Sequence, residues 1–344
     1  MSSVVMREEA TALSSYQQMI QMSSGHIVSK SLYVVAELGI ADLLATGPRT
    51  SAELAAATGV HAPSLYRVLR ALASLGVFVE EEDQTFRLTP LGATLRSDGS
   101  DSVRNLVLLN GTIAWQSFGE MLYSVQTGQT GFERAFGMPI FEYLAQHPDD
   151  AAVFARTMID FHGPEAAAVA SAYGFPDVKT LVDLGGGFGN LLAALLEANP
   201  SLRGILFELS HVAEEAAQRL NAAGLGGRCE VVQGNFFESV PTGGDVYLLS
   251  HVVHDWDEAN CLTLLGNCRS AMAPGGRLLI VEMVLPGANQ PSPGKMTDLI
   301  MLVNQRGQER TEEEYRELLA KAGFRLTRVV PTASAVSVIE AVPA

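Results

Sequence analysis

An α/β fold carried behind a mostly helical N-terminal part is predicted by three features of the 344-residue sequence. Beyond Tyr173 short apolar runs alternate with helical stretches, the pattern of a parallel sheet covered on both faces. The last two runs are joined by only about five residues, PTAS and its neighbours, too few for a right-handed parallel crossover, so the final strand should run antiparallel. Before Tyr173 the pattern is helical, with one small β insertion. The length accommodates about two domains of roughly 150 residues each, and 47% apolar with 18% charged residues is enough to fill their cores.

In chain order, Ser24 to Ile40 has apolar residues at helical spacing, with Gly39 near its end. Ser51 is an expected N-cap for a helix containing Leu54, followed by a turn at Gly59 and a second helix from Pro63 to Leu75. Two short β runs, Val77 to Val79 and Thr85 to Leu88, flank EEEDQ, so the unit reads as a winged helix. A long Ala-rich helix from Ala151 to Tyr173 leads to a Gly-Phe-Pro break. The strands expected after it are Thr180 to Leu184, Arg203 to Phe207, Cys229 to Gln233, Val246 to Ser250, Arg277 to Met283, Phe324 to Val330 and Ala335 to Ala341. Helices are expected at Asn190 to Ala198, Val212 to Ala222, Asp257 to Met272 and Glu312 to Ala322.

Charge narrows the partners. The net charge is -15, and the parts before and after Gly174 carry -8 and -7, so both would repel a duplex or an anionic membrane. Within the winged helix, Arg67, Arg70 and Arg87 stand against Glu53, Glu80, Glu81, Glu82 and Asp83, and the acidic run falls at the wing tip. A packing or dimer-forming module is the stronger reading of that unit, and nucleic acid is not an expected partner. No apolar run reaches the roughly 18 residues of a spanning helix, and MSSVVMREEATALSS lacks the pattern of a secretory signal, so a cytoplasmic location is expected. Cys229, Cys261 and Cys268 have neither disulfide-framework nor zinc spacing and read as structural thiols, with no metal expected.

Residues 182–190 run Val-Asp-Leu-Gly-Gly-Gly-Phe-Gly-Asn from a strand directly into a helix, which lets backbone approach a ligand at the helix N-terminus. Such a loop also serves dinucleotides, but Asn190 stands where the third fingerprint glycine would be, and the sequence places no Lys or Arg beside the glycines for a phosphate. Glu208, 21 residues beyond Gly187 at the end of the next strand, suits a ribose diol of NAD or of S-adenosylmethionine. Gly234-Asn235-Phe236-Phe237 closes the third strand with an amide and an aromatic wall suited to an adenine.

The ordered motifs LVDLGGGFGN, GILFELSHV, GNFFESVP, HVVHDWDEANC, GGRLLIVE and RGQERT resemble those of class I S-adenosylmethionine-dependent O-methyltransferases, the type shared by plant caffeate and flavonoid enzymes and bacterial natural-product tailoring enzymes. The likeness runs nearly end to end. It implies a Rossmann-like seven-stranded methyltransferase sheet with an antiparallel last strand at 171–344, preceded by a helical, winged-helix dimerisation domain at 1–170 that forms an intertwined homodimer. It implies S-adenosyl-L-methionine as cofactor, lined by Asp183, Gly185, Gly187, Glu208, Leu209, Asn235, Phe236 and Ser250, with Trp256 as a wall. Glu208 stands where Asp is usual, Asn235 also replaces Asp, and Ser250 replaces the Lys of many members, so altered contacts are expected there. The stretches DVYLLSHVVHDWDEA and LLGNCRSAM are similar to bacterial phenazine methyltransferases and point to a fused-ring acceptor.

By the same resemblance His254 is the base, with Glu282 and Glu309 flanking it. A phenol ionises near pH 10 while histidine titrates near 6.5, which suits His254 to remove the proton. His251, at the strand end, is read as a packed or weakly polar residue. Asp255 has a supporting role. Acceptor contacts are expected from Trp115, Met158, Phe161, His162, Met301 and Asn304, the last by hydrogen bonding. N-methylation of a heteroaromatic, a non-catalytic ligand-sensing regulator and a nicotinamide dehydrogenase are the competing readings. The HDW run favours oxygen, intact His254, Glu282 and Glu309 oppose the regulator, and Asn190 with the antiparallel final strand opposes the dehydrogenase.

Overall fold

The computed structural model describes residues 13–99 and 101–344. The chain divides into two compact units, one ending at Thr112 and one spanning Ile113–Ala344.

In the first unit the helices Gly25–Glu37, Ser51–Thr58 and Ala62–Ala73 enclose a core of Leu54, Leu65, Leu69, Leu72, Phe78 and Phe86. Thr50, not Ser51, caps the second of these helices. Its hydroxyl accepts from the Glu53 amide, and the Glu53 carboxylate accepts from the Thr50 amide, a reciprocal capping box. Ser51 is instead buried and donates to Gln84 at 3.0 Å. The wing is three-stranded: a two-residue strand β1 (Arg49–Thr50) pairs with β3 (Thr85–Leu88), which also pairs with β2 (Phe78–Glu80). Its turn keeps its acids exposed, and Arg87 is engaged by Glu81 at 3.0 Å. Tyr16, Met19, Ile20, Met22 and Ile27 leave an apolar surface on the helices Ser15–Ser23 and Gly25–Glu37.

The second unit is built on a seven-stranded sheet. Its members are β4 (Thr180–Leu184), β5 (Arg203–Glu208), β6 (Cys229–Gln233), β7 (Val246–Ser250) and β8 (Arg277–Glu282). After two short strands, β9 (Val284–Leu285) and β10 (Arg310–Thr311), come β11 (Phe324–Pro331) and β12 (Ser337–Pro343). The order is β11-β12-β8-β7-β4-β5-β6, parallel except that β12 runs antiparallel to both neighbours. Alternate residues serve opposite faces: Val182, Tyr247, Leu249, Leu278 and Ile280 fill one core, while Leu181, Val246, Leu248, Leu279 and Val281 fill the other. The strand order reverses between β4 and β7, so a crevice is expected outside their carboxyl ends. Ahead of the sheet, the helix Pro148–Ala172 is capped by Tyr173, whose hydroxyl hydrogen-bonds Glu340. Among the described residues no helix is long and apolar enough to cross a membrane.

Candidate active site

The glycine turn after β4 is shaped around a buried carboxylate. Asp183 is fully buried and neither oxygen has a hydrogen-bond partner, and a β-carbon on Gly186 would stand 2.3 Å from Oδ2. Burial, then the nearby Glu208 charge, pushes Asp183 up to about 7. Glu208, ending β5, accepts from the Gly187 amide at 2.9 Å and the Leu209 amide at 2.8 Å. A carboxylate has about four acceptor positions, so a ribose diol can share it. The Asn235 carbonyl oxygen accepts from the Phe237 amide at 3.0 Å, which commits that side chain to its own turn. Phe236 and Phe237 meet Trp256 edge-on, and Phe141 stacks on the same indole at 5.8 Å. Ser250 ends β7, in register with Val281 of β8. One cation does lie near the glycine loop, contrary to the expectation from sequence: the Arg219 guanidinium sits 4.4 Å from the Phe188 ring, with Glu215 at 2.7 Å. Its charge is already paired. A cofactor with donor groups and no phosphate fits this cradle.

Across the switch point, β7 runs into a short 3-10 turn, Val253–Asp255, which buries His254. The Glu309 carboxylate lies 2.6 Å from His254 Nδ1, and Asp255 Oδ1 lies 3.4 Å from Nε2. Glu282, ending β8, has an oxygen within 4.8 Å of a ring nitrogen but is not hydrogen-bonded to it. It accepts from the backbone N–H of His254 at 3.0 Å and from the Tyr315 hydroxyl. The loop bearing Glu309 is fixed by the parallel pairing of β9 and β10, by the Glu309 amide donating to Asp298 at 2.9 Å, and by buried Arg310 donating to the carbonyls of Gln308 and Val253. Burial alone would lower His254. Asp255, then Glu309 and Glu282, outweigh it and hold the imidazole well above its ordinary value, while burial raises Asp255 and Glu309. The imidazole therefore keeps its proton near neutrality, and the acids around it share the strain of one another's charge.

The expected acceptor residues fall on two helices and their surroundings. Met158, Phe161 and His162 lie on Pro148–Ala172, and Met301 and Asn304 on Gly294–Asn304. The Asn304 carbonyl oxygen accepts from buried Ser117 at 2.6 Å, on the same helix as Trp115. His162 Nδ1 lies 3.0 Å from Glu165, which also takes His251 Nε2 at 2.7 Å. His251 is thus hydrogen-bonded, the polar of the two environments expected for it. Glu165, Tyr315, Arg310 and Phe141 were not among the residues expected at the site. Two of them left a signal: Glu165 by its i,i+3 spacing from His162 on one helix face, and Arg310 by its place in RGQERT beside Glu309.

Residues 115–325 match the O-methyltransferase domain family, and residues 20–98 match the O-methyltransferase dimerisation domain. The chain belongs to the O-methyltransferase family. The phenazine O-methyltransferase of Lysobacter antibioticus is 49% identical over 98% of this chain and 98% of its own. The 8-amino-8-demethylriboflavin N,N-dimethyltransferase of Streptomyces davaonensis is 37% identical over 94% of each chain. A solved O-methyltransferase from neocarzinostatin biosynthesis, in complex with S-adenosylmethionine and 2-hydroxy-5-methyl naphthoic acid, is 35% identical with a TM-score of 0.84, covering 92% of this chain and 96% of that one. The fold expected from the sequence, an α/β sheet with an antiparallel last strand behind a helical winged-helix module, is the fold observed.

Proposed function

We propose that this O-methyltransferase methylates a hydroxyl of an aromatic, fused-ring secondary metabolite such as a phenazine or polyketide, with His254 as the proton acceptor. The methyl donor is S-adenosyl-L-methionine, which supplies an electrophilic methyl group on a sulfonium. Asp183 and Glu208 would hold its donor groups at the glycine turn, and the Phe236, Phe237 and Trp256 rings would wall it. The observation that carries the reading is the buried contact of His254 Nδ1 with Glu309. It fixes one ring nitrogen and directs chemistry to Nε2.

The raised affinity of His254 for its proton shapes the proposal. A phenol ionises near pH 10, so an imidazole raised toward that range shares a proton with a phenol at little cost. The productive complex holds one proton between the phenolic oxygen and Nε2, and it forms equally from imidazolium and phenolate. Glu309 and Asp255 stabilise the imidazolium as the methyl group is transferred.

Names of relatives support both oxygen and nitrogen as acceptor atoms, since one is a phenazine O-methyltransferase and another an N,N-dimethyltransferase. An amine needs no buried imidazole–carboxylate pair, which favours oxygen here. The apolar surface of Tyr16, Met19, Ile20 and Met22 supports homodimer formation through the first unit. A screen of labelled-methyl transfer to hydroxylated and aminated aromatics, read by product mass and position, tests the reading. Transfer to nitrogen alone would overturn it.

A further inference from the structure

Close to the base stands a second carboxylate–imidazole arrangement that the reaction described above does not use. Glu165, from the helix Pro148–Ala172, is largely buried, and one of its oxygens lies 2.7 Å from His251 Nε2 and 3.0 Å from His162 Nδ1. A carboxylate ionised by two such donors only accepts, so both ring nitrogens facing it carry hydrogens. The two hydrogen bonds hold Glu165 down to about 2 although its burial opposes this, and burial pushes His251 down to about 4. His251 is then a neutral imidazole with Nδ1 as an acceptor, and no hydrogen-bond partner meets that nitrogen among the described residues. Its ring centroid lies 5.3 Å from that of His254.

His251 also has φ +53°, a left-handed conformation uncommon for a residue with a side chain and held here by its surroundings. Its amide donates to Val281 at 3.1 Å on one side and its ring is tied to Glu165 on the other. The same three side chains are of a type that binds divalent cations. Here, however, both N–H groups already address a single oxygen at hydrogen-bond distance, the arrangement of an orienting carboxylate.

We propose that Glu165 and His251 form a specificity pair, in which His251 Nδ1 accepts a hydrogen bond from a second hydroxyl of the aromatic acceptor, vicinal to the one that is methylated. Glu165 is the positioning residue that fixes the tautomer. The inference rests on the O-methylation reading, with two neighbouring imidazoles serving two neighbouring oxygens: His254 for the one that reacts, His251 for the one that is recognised.

The test compares 2,3-dihydroxynaphthalene with 2-naphthol as acceptors, by kcat/KM at saturating S-adenosylmethionine and by Kd. The wild type is expected to favour the diol by about tenfold or more, as a site built to hydrogen-bond a hydroxyl disfavours the analogue lacking it. In His251→Phe and in Glu165→Gln the ratio is expected to fall to within about threefold of unity. A folding defect lowers both acceptors together and leaves the ratio, so the ratio isolates recognition. His251→Asn, whose new side chain tolerates positive φ, provides a third variant that loses the imidazole without straining the backbone, and its ratio is expected to fall in the same way. Equal use or equal binding of the two acceptors by the wild type, or an unchanged ratio in the variants, would overturn the proposal. So would a stoichiometric divalent ion whose chelation abolishes the preference. Equal O-methylation of both naphthols would leave the O-methylation reading standing and remove only this pair, whereas methylation confined to nitrogen acceptors would remove both.

Discussion

Gly307 lies so close beneath His254 that a β-carbon at 307 would stand 1.9 Å from the His254 carbonyl oxygen. The loop Arg306–Glu309 can therefore bring Glu309 to the imidazole only because position 307 has no side chain. Gly307→Ala is expected to push the two loops apart, costing about 1–3 kcal/mol of stability and lengthening the Glu309 contact. Thermal unfolding and kcat should fall together, with a loss of about tenfold or more in kcat at a temperature where the variant is folded.

The carboxylates around His254 set the sign of the pH dependence. With the imidazole pKa raised, enzyme and phenol are both protonated at pH 7, one proton more than the productive complex holds. Consequently kcat/KM should rise by about tenfold per pH unit above neutrality, still rising at pH 8. Removing Glu309, one of the groups that raise His254, should move that rise to lower pH in Glu309→Gln while lowering the maximal rate by about 100-fold. A profile that levels off at pH 6 to 7 in the wild type would contradict the raised imidazole.

How far this site could be read in advance differs residue by residue. His254, Glu282 and Glu309 stand within motifs, so their assembly at the carboxyl edge follows once β7, β8 and the β10 loop are placed. The seven strands and the antiparallel course of β12 followed from alternation and one short connection, whereas their spatial order is set by tertiary packing. What Glu282 does was not legible, because its contact is with a backbone N–H, and no sequence pattern marks that. Tyr315 is hidden for a similar reason: it reads as the apolar residue of an amphipathic helix, and only tertiary packing brings its hydroxyl to Glu282. The N-cap shifted from Ser51 to Thr50 since both residue types cap well and the paired wing strand decides between them.

Tyr315→Phe leaves one oxygen of a fully buried carboxylate without its donor. We expect a loss of about 1–3 kcal/mol, measured by denaturant unfolding with unchanged m-value. Since Glu282 also receives the His254 amide, kcat should drop while the Kd of S-adenosylmethionine stays within about twofold.

Asp183 predicts a trade between stability and cofactor binding. Its folded pKa, about 7, exceeds the unfolded value near 3.9, so without cofactor the folded state loses stability as pH rises between those values and stays lower above them. Asp183→Asn removes that penalty, on the order of 2–4 kcal/mol at pH 8. The variant should melt higher than the wild type when no cofactor is added, and calorimetry should show weaker S-adenosylmethionine binding. A lower melting temperature at pH 8 would contradict this account of the glycine turn.

The central claim is that His254 takes the proton of an aromatic hydroxyl as that oxygen is methylated. It is tested most directly by labelled-methyl transfer from S-adenosylmethionine to a hydroxylated phenazine, comparing the wild type with His254→Gln at pH 8 and confirming cofactor binding in both. The account predicts an O-methylated product whose rate of formation falls by about 100-fold or more in the variant, with cofactor affinity retained. A variant that binds cofactor and keeps a near-normal rate would contradict it.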